Sequence, residues 1–296
     1  MKITFLGTAS MQPTADRNLT SIYFNHEGEH ILFDCGEGTQ RQIKIAGISP
    51  TKITRIIISH FHADHFLGLG GLIRTLDANQ YNKTLHIYGP KGLQNLFESI
   101  TTSLHYRPGI NIKLTEIKPG MIVDTEKFVI EAFPLYHSVQ CFGFSVREKD
   151  RRKINTAYLK KFGLKQHPVI GDLQKGRDII WQGKKILAKN STYLVKGKIL
   201  AVILDTGYSD QIAKAVKNAD LIVCESTYSE KEKEIAEEYR HMAASDAARI
   251  AKKAGAKKLV LTHFSQRYKN IKELENEAKK IFRNTVAAED LASFSI

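Results

Sequence analysis

Three imidazoles and one carboxylate lie within six consecutive residues, directly after an apolar, strand-like stretch. Residues 59–65 read S-H-F-H-A-D-H. On an extended strand end His60 and His62 point to the same side, because side chains repeat every second residue. The turn that follows directs Asp64 and His65 toward a second position. The spacing therefore predicts a site for two metal ions.

A site for two ions needs more than these four ligands, and isolated residues at the ends of other apolar runs can supply them. They are His137, Asp205 and His263. Open sheets place their functional loops at strand ends. A carboxylate such as Asp205, after six apolar residues, is costly to bury unless a cation neutralises it. Nitrogen and oxygen ligands without a thiolate favour zinc, with manganese or iron as alternatives.

Two further segments make the pattern more specific. Residues 34–42 read D-C-G-E-G-T-Q-R-Q, and residues 262–268 read T-H-F-S-Q-R-Y. Together with residues 59–65 they resemble the tRNase Z (ribonuclease Z) family of the metallo-β-lactamase superfamily, over essentially the whole chain. The resemblance implies an α/β fold, namely a four-layer αββα sandwich with a protruding basic arm. It also implies a zinc-dependent endoribonuclease that removes the 3′ trailer from precursor tRNA and leaves a tRNA 3′-hydroxyl.

The resemblance further implies two zinc ions per subunit and a role for each candidate residue. The implied ligands are His60, His62 and His137 for one ion, Asp64, His65 and His263 for the other, and Asp205 as the bridge. Metal-bound water has a pKa near 7, so hydroxide attack on phosphorus is expected. Asp64 would orient or deprotonate this water, and His241 would supply charge stabilisation or a proton to the leaving 3′-oxygen. Glu225 either fixes the tautomer of His241 or receives backbone donors at a strand end, while Asp34 organises its loop without binding metal.

The charge distribution favours a nucleic-acid substrate. Formal net charge is +13, and residues 147–189 contribute thirteen basic against four acidic side chains, or +9. Such a run can be an ordinary solvated face, but cations that neutralise phosphates strengthen RNA binding. The resemblance implies that residues 148–190 form an inserted tRNA-binding arm, although His167-Pro168 stands where the family has Gly-Pro. Ala15 and Ala243 also replace residues common in the family.

Length and composition indicate one domain, residues 1–296, that carries this insert. The three cysteines, Cys35, Cys141 and Cys224, are far apart, which predicts small structural residues and a reducing compartment. No apolar stretch approaches the roughly 20 residues of a membrane span. The N-terminus lacks the features of a signal peptide, so a cytoplasmic location is expected. The resemblance implies a homodimer.

Apolar periodicity predicts the elements that position these residues. A hairpin is expected around Asn25–Gly28, and helix faces at residues 69–76 and 244–251. Further strands are expected at residues 54–59, 85–88, 111–117, 128–134, 142–147, 192–195, 199–204, 220–224 and 258–262. One alternative is another hydrolase or phosphodiesterase of the superfamily, but such an enzyme would not need a basic arm. The other is a non-catalytic RNA-binding module, but such a module would not need seven metal ligands.

Overall fold

The computed structural model describes residues 1–296, which divide into two compact units. The first comprises Met1–Asp124, Ile130–Val146 and Ile199–Ile296, and the second comprises Thr125–Val129 and Arg147–Lys198. All of the predicted ligands belong to the first unit.

Eighteen strands and eleven α-helices make up the two units. The first nine strands are β1 (Lys2–Gly7), β2 (Ser21–His26), β3 (Glu29–Phe33), β4 (Arg55–Ile57), β5 (Thr84–Gly89), β6 (Asn111–Glu116), β7 (Gly120–Asp124), β8 (Phe128–Leu135) and β9 (Cys141–Glu148). The others are β10 (Arg151–Ile154), β11 (Ile179–Trp181), β12 (Lys184–Ile186), β13 (Thr192–Val195), β14 (Ile199–Ile203), β15 (Leu221–Glu225), β16 (Leu259–Thr262), β17 (Thr285–Ala287) and β18 (Ser293–Ser295). The helices are α1 (Thr39–Ile45), α2 (Ala63–Phe66), α3 (Leu69–Ala78), α4 (Leu93–Ser103), α5 (Thr156–Lys160), α6 (Ile170–Gln174), α7 (Ala188–Ser191), α8 (Asp210–Ala215), α9 (Lys233–Glu238), α10 (Ala244–Ala254) and α11 (Lys272–Lys279). Short 3₁₀ turns cover Pro50–Lys52 and Glu230–Glu232.

Two seven-stranded sheets form the first unit. One has the order β18-β1-β2-β3-β4-β5-β6, with antiparallel pairing from β18 to β3 and parallel pairing from β3 to β6. The other has the order β17-β16-β15-β14-β9-β8-β7, and its strands from β14 to β17 are parallel. Parallel strands end at the same edge, which gathers the loops that follow them.

The central strands of both sheets are buried on both faces, as a layered arrangement requires. On β3, Leu32 packs in a cluster with Leu69 of α3, whereas the ring of Phe33 lies 5.5 Å from that of Phe144 in the other sheet. On the second sheet, Cys224 of β15 packs in a cluster with Ala248 of α10. Helices therefore cover the outer faces of two sheets that contact each other, which is the expected layering.

The predicted helix faces and the hairpin are confirmed. The apolar face of α3 is buried, as is the alanine face of α10. Strands β2 and β3 pair antiparallel through a two-residue turn in which Glu27 and Gly28 have φ values of 47° and 88°. Two positive φ values suit the right-handed twist of a hairpin. Every strand predicted by residue range is present, with bounds shifted by up to two residues.

The second unit has a small core of its own. Strands β10 and β13 pair antiparallel, and β11 and β12 form a hairpin. The buried core residues are Leu159, Leu164, Leu173, Ile179, Ile186 and Ala188. Trp181 lies against His167, with ring centres 4.8 Å apart, and its indole N–H donates to the carbonyl of Phe162. The predicted insert, 148–190, falls inside this unit, and its basic side chains from Arg151 to Lys189 are all exposed.

The three cysteines are free and buried, as predicted. Burial raises the pKa of the Cys35 thiol to about 12 and raises the pKa values of Cys141 and Cys224 well above their usual range. None of the helices has the length and hydropathy of a membrane-spanning segment.

Candidate metal centre

The seven predicted ligands lie at the ends of strands in the two sheets. His60 follows β4, His137 follows β8, Asp205 follows β14 and His263 follows β16. His62 is the N-cap of the short helix α2, which carries the two remaining ligands, Asp64 and His65. The predicted turn after His62 is therefore a helical turn. The mixed topology of the sheets brings these distant segments to one place.

The ligands form two groups that share one carboxylate. The first group is His60, His62, His137 and Asp205, and the second is Asp64, His65, Asp205 and His263. Within each group the candidate ligand atoms lie within 4.8 Å of one another.

Asp205 faces the two groups with different oxygen atoms. Its Oδ1 lies 3.2 Å from His65 Nε2 and 3.0 Å from His263 Nε2. Its Oδ2 lies 3.6 Å from His60 Nε2 and 3.8 Å from His137 Nε2. This arrangement is the one that a bridging carboxylate needs.

Asp64 reaches only the second group. Its Oδ2 lies 3.2 Å from His65 Nε2 and 3.4 Å from His263 Nε2. In the first group, His62 directs Nδ1 rather than Nε2 inward, since its Nδ1 lies 3.1 Å from His137 Nε2. The Nε2 atom of His62 lies instead 3.3 Å from Ser138 Oγ.

Two hydroxyl groups, each of which donates its proton to a carboxylate, fix the tautomers of two predicted ligand histidines. Thr227 Oγ1 donates its one proton to Glu225 Oε2 at 2.6 Å, so at 3.0 Å from His263 Nδ1 it accepts the ring N–H. Ser59 Oγ likewise donates to Asp34 Oδ2 at 2.7 Å and accepts from His60 Nδ1 at 3.0 Å. Both histidines therefore keep the Nε2 lone pair for a metal ion.

Direct acceptors hold two more ligands in the same tautomer. His65 Nδ1 donates to Asp34 Oδ2 at 2.6 Å, and His137 Nδ1 donates to the carbonyl of Arg240 at 3.0 Å. Asp34 thus supports one ligand directly and another through Ser59, and it lies in neither group. Asp34 was expected to organise its own loop without binding metal, and its bonds to Ser59 and His65 add a supporting role that was not predicted.

The tautomers leave acceptor atoms facing one another. The buried atoms His60 Nε2, His65 Nε2, His263 Nε2 and Asp205 Oδ1 have no hydrogen-bond partner. Buried polar groups without partners are costly. A cation between the lone pairs satisfies all of them, so the residues present fit a pair of metal ions.

The electrostatics of the cluster also favour bound cations. Burial disfavours a charged imidazole at His65, yet the carboxylates of Asp205, Asp64 and Asp34 raise its pKa well above the usual value. Burial alone would raise the pKa of Asp205, but the surrounding histidines, with His263 first, hold it well below its usual range. Nitrogen and carboxylate oxygen ligands in this number suit zinc.

His241 stands beside the two groups and outside them. Its Nδ1 lies 2.9 Å from Glu225 Oε1, and its Nε2 points toward Asp205 Oδ2 at 3.9 Å. Burial lowers its pKa, but the fully buried carboxylate of Glu225 outweighs this and raises the pKa to about 9. Of the two roles considered for Glu225, this hydrogen bond supports the tautomer role. The same carboxylate also accepts the backbone N–H groups of Thr206 and Met242, so both roles are present.

A cavity of about 540 Å³ opens over the cluster. Its lining includes His62, Asp64, Asp205, Met11 and His241. A larger cavity, of about 880 Å³, lies beside α4 and contains none of the predicted ligands. Of these two cavities, only the one of about 540 Å³ is lined by predicted metal ligands.

Sequence reasoning did not find four residues that hold the ligands in place. They are Ser59, Thr227, Arg240 and, in its detailed role, Asp34. A local signal existed for the first two residues. Ser59 directly precedes the predicted ligand His60, and Thr227 follows the strand-end acid Glu225 by two positions. The contact of Arg240 with His137 joins segments more than a hundred residues apart and left no local pattern.

Comparison with known proteins agrees with the observed fold. The profile of the metallo-beta-lactamase superfamily matches residues 15–132, and that of a beta-lactamase superfamily domain matches residues 181–264. The chain is 41% identical to ribonuclease Z of Chlamydia abortus, over 99% of this chain and 96% of that protein. It is 37% identical to ribonuclease Z of Archaeoglobus fulgidus, over 100% and 97%. The crystal structure of human tRNase Z, short form, superposes with a TM-score of 0.74 at 29% identity, covering 100% and 99% of the two chains.

Proposed function

The chain belongs to the ribonuclease Z family of the metallo-β-lactamase superfamily, and from this membership we propose that it is the endoribonuclease that removes the 3′ trailer from precursor tRNA. The observation that carries the proposal is identity of 37–41% to ribonucleases Z along the whole chain, with both ligand groups assembled. The product is a tRNA with a 3′-hydroxyl end.

We further propose that the two ligand groups hold two zinc ions per subunit, with Asp205 as the bridge. When bound, the ions supply a nucleophile at neutral pH and stabilise negative charge on the phosphoryl group. The protein contributes ligands whose tautomers are fixed in advance by Asp34, Ser59 and Thr227. Fixed ligands reduce the reorganisation that binding requires.

Asp64 is proposed to act on the attacking water as well as on one ion. Its Oδ2 faces His65 and His263, which leaves the other carboxylate oxygen as an acceptor for a water proton. Asp64 lines the cavity, so this acceptor lies where a phosphodiester would enter.

His241 is proposed to donate a proton to the leaving 3′-oxygen. The raised pKa, about 9, keeps its imidazole protonated at neutral pH, and its Nε2 points into the site. Glu225 holds Nδ1, so Nε2 is the nitrogen that can transfer a proton. The arrangement matches what general acid catalysis needs, namely reach and a suitable pKa.

The second unit is proposed to bind the tRNA through its exposed cations. Its basic side chains from 151 to 189 all reach solvent, and some of them also pair with acids of the same unit, as Arg177 does with Asp172. Exposed cations of this kind can neutralise RNA phosphates. His167, which stands where the family has the glycine of Gly-Pro, packs against Trp181.

We propose a homodimer in the cytoplasm. Membership of the family supports the dimer, and three free, buried thiols are compatible with a reducing compartment. Light scattering coupled to size-exclusion chromatography measures the mass in solution directly, and a monomer at micromolar concentration would contradict the dimer.

The proposed function is tested with 5′-labelled precursor tRNA, with and without a CCA sequence in the trailer. One cut at the trailer junction that leaves a 3′-hydroxyl is the expected product on a sequencing gel. Hydrolysis of small phosphodiesters without any cut in the precursor would instead assign the chain to another phosphodiesterase activity of the superfamily. A protein that binds the precursor but cuts neither substrate would be an RNA-binding module.

A further inference from the structure

Tyr136 is an exposed aromatic residue directly before a buried ligand. It is 58% exposed, whereas His137, the next residue, is 7% exposed and belongs to the first ligand group. Large aromatic rings usually gain from burial. A ring that is 58% exposed one residue from a predicted ligand is available to contact a bound substrate.

The backbone of Tyr136 is held firmly although its ring is exposed. Its N–H donates to Thr206 Oγ1 at 3.1 Å, and its carbonyl accepts the N–H of Gly207 at 2.8 Å. Gly207 lies so close that an added Cβ would sit 2.9 Å from Tyr136 Cδ1. The ring is thus held in a fixed position against the segment that carries Asp205.

Arg240 contacts both the ring of Tyr136 and the predicted ligand His137, and it lines the cavity. Its guanidinium donates to the carbonyl of His137 at 2.9 Å, while its own carbonyl accepts from His137 Nδ1 at 3.0 Å. The guanidinium carbon also lies 5.0 Å from the centre of the Tyr136 ring. Arg240 has a φ of 56°, a conformation that non-glycine residues adopt only when their surroundings hold them in it.

We propose that Tyr136 is a stacking platform for a nucleobase of the RNA beside the scissile phosphate. This inference rests on the proposed function, since it names how the same site positions a precursor RNA. Arg240 and His137 line the cavity over the ligands, and Tyr136 adjoins both, through its ring contact with Arg240 and as the residue before His137. Single-stranded RNA is commonly held by bases that stack on aromatic side chains or guanidinium planes. Every base has a π-face, so the contact fits trailers of any sequence.

The first experiment compares Tyr136→Ala with Tyr136→Phe and Tyr136→Trp. Removal of one stacking contact costs about 1–3 kcal/mol, so kcat/KM for precursor tRNA should fall about 5- to 150-fold in the alanine variant. The phenylalanine and tryptophan variants should stay within about threefold of the parent, because they keep the π-face. Met121→Ala, at a residue of β7 that is 63% exposed, is the matched control and should not change kcat/KM. Zinc content and Tm equal to those of the parent show that the alanine variant is folded with an intact site.

The second experiment identifies the base. In this assay, kcat/KM of the parent and of Tyr136→Ala is measured on precursors that carry a single abasic nucleotide on the 5′ or the 3′ side of the cleavage point. At the stacked position the abasic substitution and the alanine substitution should not add, because each removes the same contact. Equal kcat/KM for the parent and Tyr136→Ala, or full additivity at both positions, would overturn the stacking proposal and leave the proposed function intact. A parent that cuts no precursor would overturn both.

Discussion

Asp205 is the residue that the two ligand groups have in common, and each of its oxygen atoms faces one group. Asp205→Ala should therefore lower the occupancy of both zinc ions. Asp64→Ala is the comparison, because Asp64 faces only His65 and His263 and should affect one ion. Zinc per chain, measured by atomic emission after dialysis, distinguishes the two. Two tightly held ions in Asp205→Ala would show that this residue is not the bridge.

Thr227 is expected to affect zinc affinity only through its hydroxyl group. Thr227→Val keeps the shape of the side chain but removes both the donor to Glu225 and the acceptor for His263. Loss of such a support typically weakens metal binding about 10- to 100-fold. Thr227→Ser keeps the hydroxyl and should restore most of the affinity, as measured by competition with a zinc chelator. Equal affinities for all three proteins would remove the hydroxyl from the support of His263.

Substitution of His241 should slow cleavage without weakening the binding of zinc or of the precursor. His241→Ala is expected to lose about 10²- to 10⁴-fold in cleavage rate, since a general acid is worth that much, while zinc content and precursor affinity persist. A variant that cuts precursor tRNA within threefold of the parental rate would exclude His241 as the acid.

The pH dependence of the reaction should respond to Glu225. Its carboxylate raises the pKa of His241 to about 9 against the effect of burial. Glu225→Gln removes that charge, so the imidazolium loses its proton at lower pH and the alkaline limb of the kcat/KM profile should shift to lower pH. An alkaline limb that stays in place or moves to higher pH would show that this limb does not report on His241.

At the scale of single residues, the amino-acid sequence was sufficient to name the seven residues that the structure brings together, but not the residues that orient them. His60, His62 and His65 share one short segment, so their spacing is visible without a structure. The bonds of Asp34 to Ser59 and His65 cross between segments that only the fold brings together. Local spacing cannot reveal such bonds.

Among the elements, the junction between α2 and α3 depends on a close backbone approach. The N–H of Gly68 donates to the carbonyl of Cys35 at 2.9 Å, and an added Cβ would sit 2.1 Å from the carbonyl oxygen of Gly36. Gly68→Ala should therefore lower the free energy of unfolding by about 1–3 kcal/mol, because the backbone must move. It should also weaken zinc binding, since Gly36 lies against the carbonyl of Asp64. Urea unfolding and zinc content measure the two effects.

Gly171 in α6 provides the control for that substitution. It has no heavy atom within 4 Å of an added Cβ. Gly171→Ala should leave stability unchanged or raise it by about 0.5–1 kcal/mol, because alanine favours a helix. A destabilisation as large as that of Gly68→Ala would show that the cost is not specific to the junction.

The elements that were predicted are those with long apolar runs. Strands β14 and β16 are almost wholly apolar, and α3 and α10 show a clear helical period. The strands that were missed are short or charged: β7, β10, β11, β12, β17 and β18. Strand β10 reads R-R-K-I, and its pairing with β13 outweighs a composition typical of a solvated loop.

For the whole molecule, the second unit should serve binding and not chemistry. The N–H of Glu148 donates to the carbonyl of Lys198 at 2.9 Å, so joining Lys149 directly to Gly197 closes the chain with a two-residue turn. Residues 150–196, which this deletion removes, contain twelve basic and three acidic side chains. Precursor affinity should fall strongly, and the slope of log affinity against log salt should become shallower by about 0.7–0.9 for each phosphate that the protein no longer neutralises.

A triple variant tests the same point without a deletion. Lys160→Gln, Lys161→Gln and Lys165→Gln remove three exposed charges and leave the core of the second unit in place. The salt slope should decrease by up to about 2–3, in proportion to the number of these lysines that bind a phosphate in the parent. Parental kcat/KM from 50 to 200 mM salt in the deletion variant would mean that this unit is an ordinary solvated surface.

The burial of all three thiols should make the native protein unreactive toward alkylating reagents, because the thiolate is the nucleophile and high thiol pKa values suppress its formation. A fluorophore can therefore be attached to one introduced cysteine without first replacing the native ones. Ile180, which is 75% exposed in the β11–β12 hairpin, offers such a position. Emission from a dye at that position would signal RNA arrival at the second unit separately from cleavage, and so give the order of the two events in time.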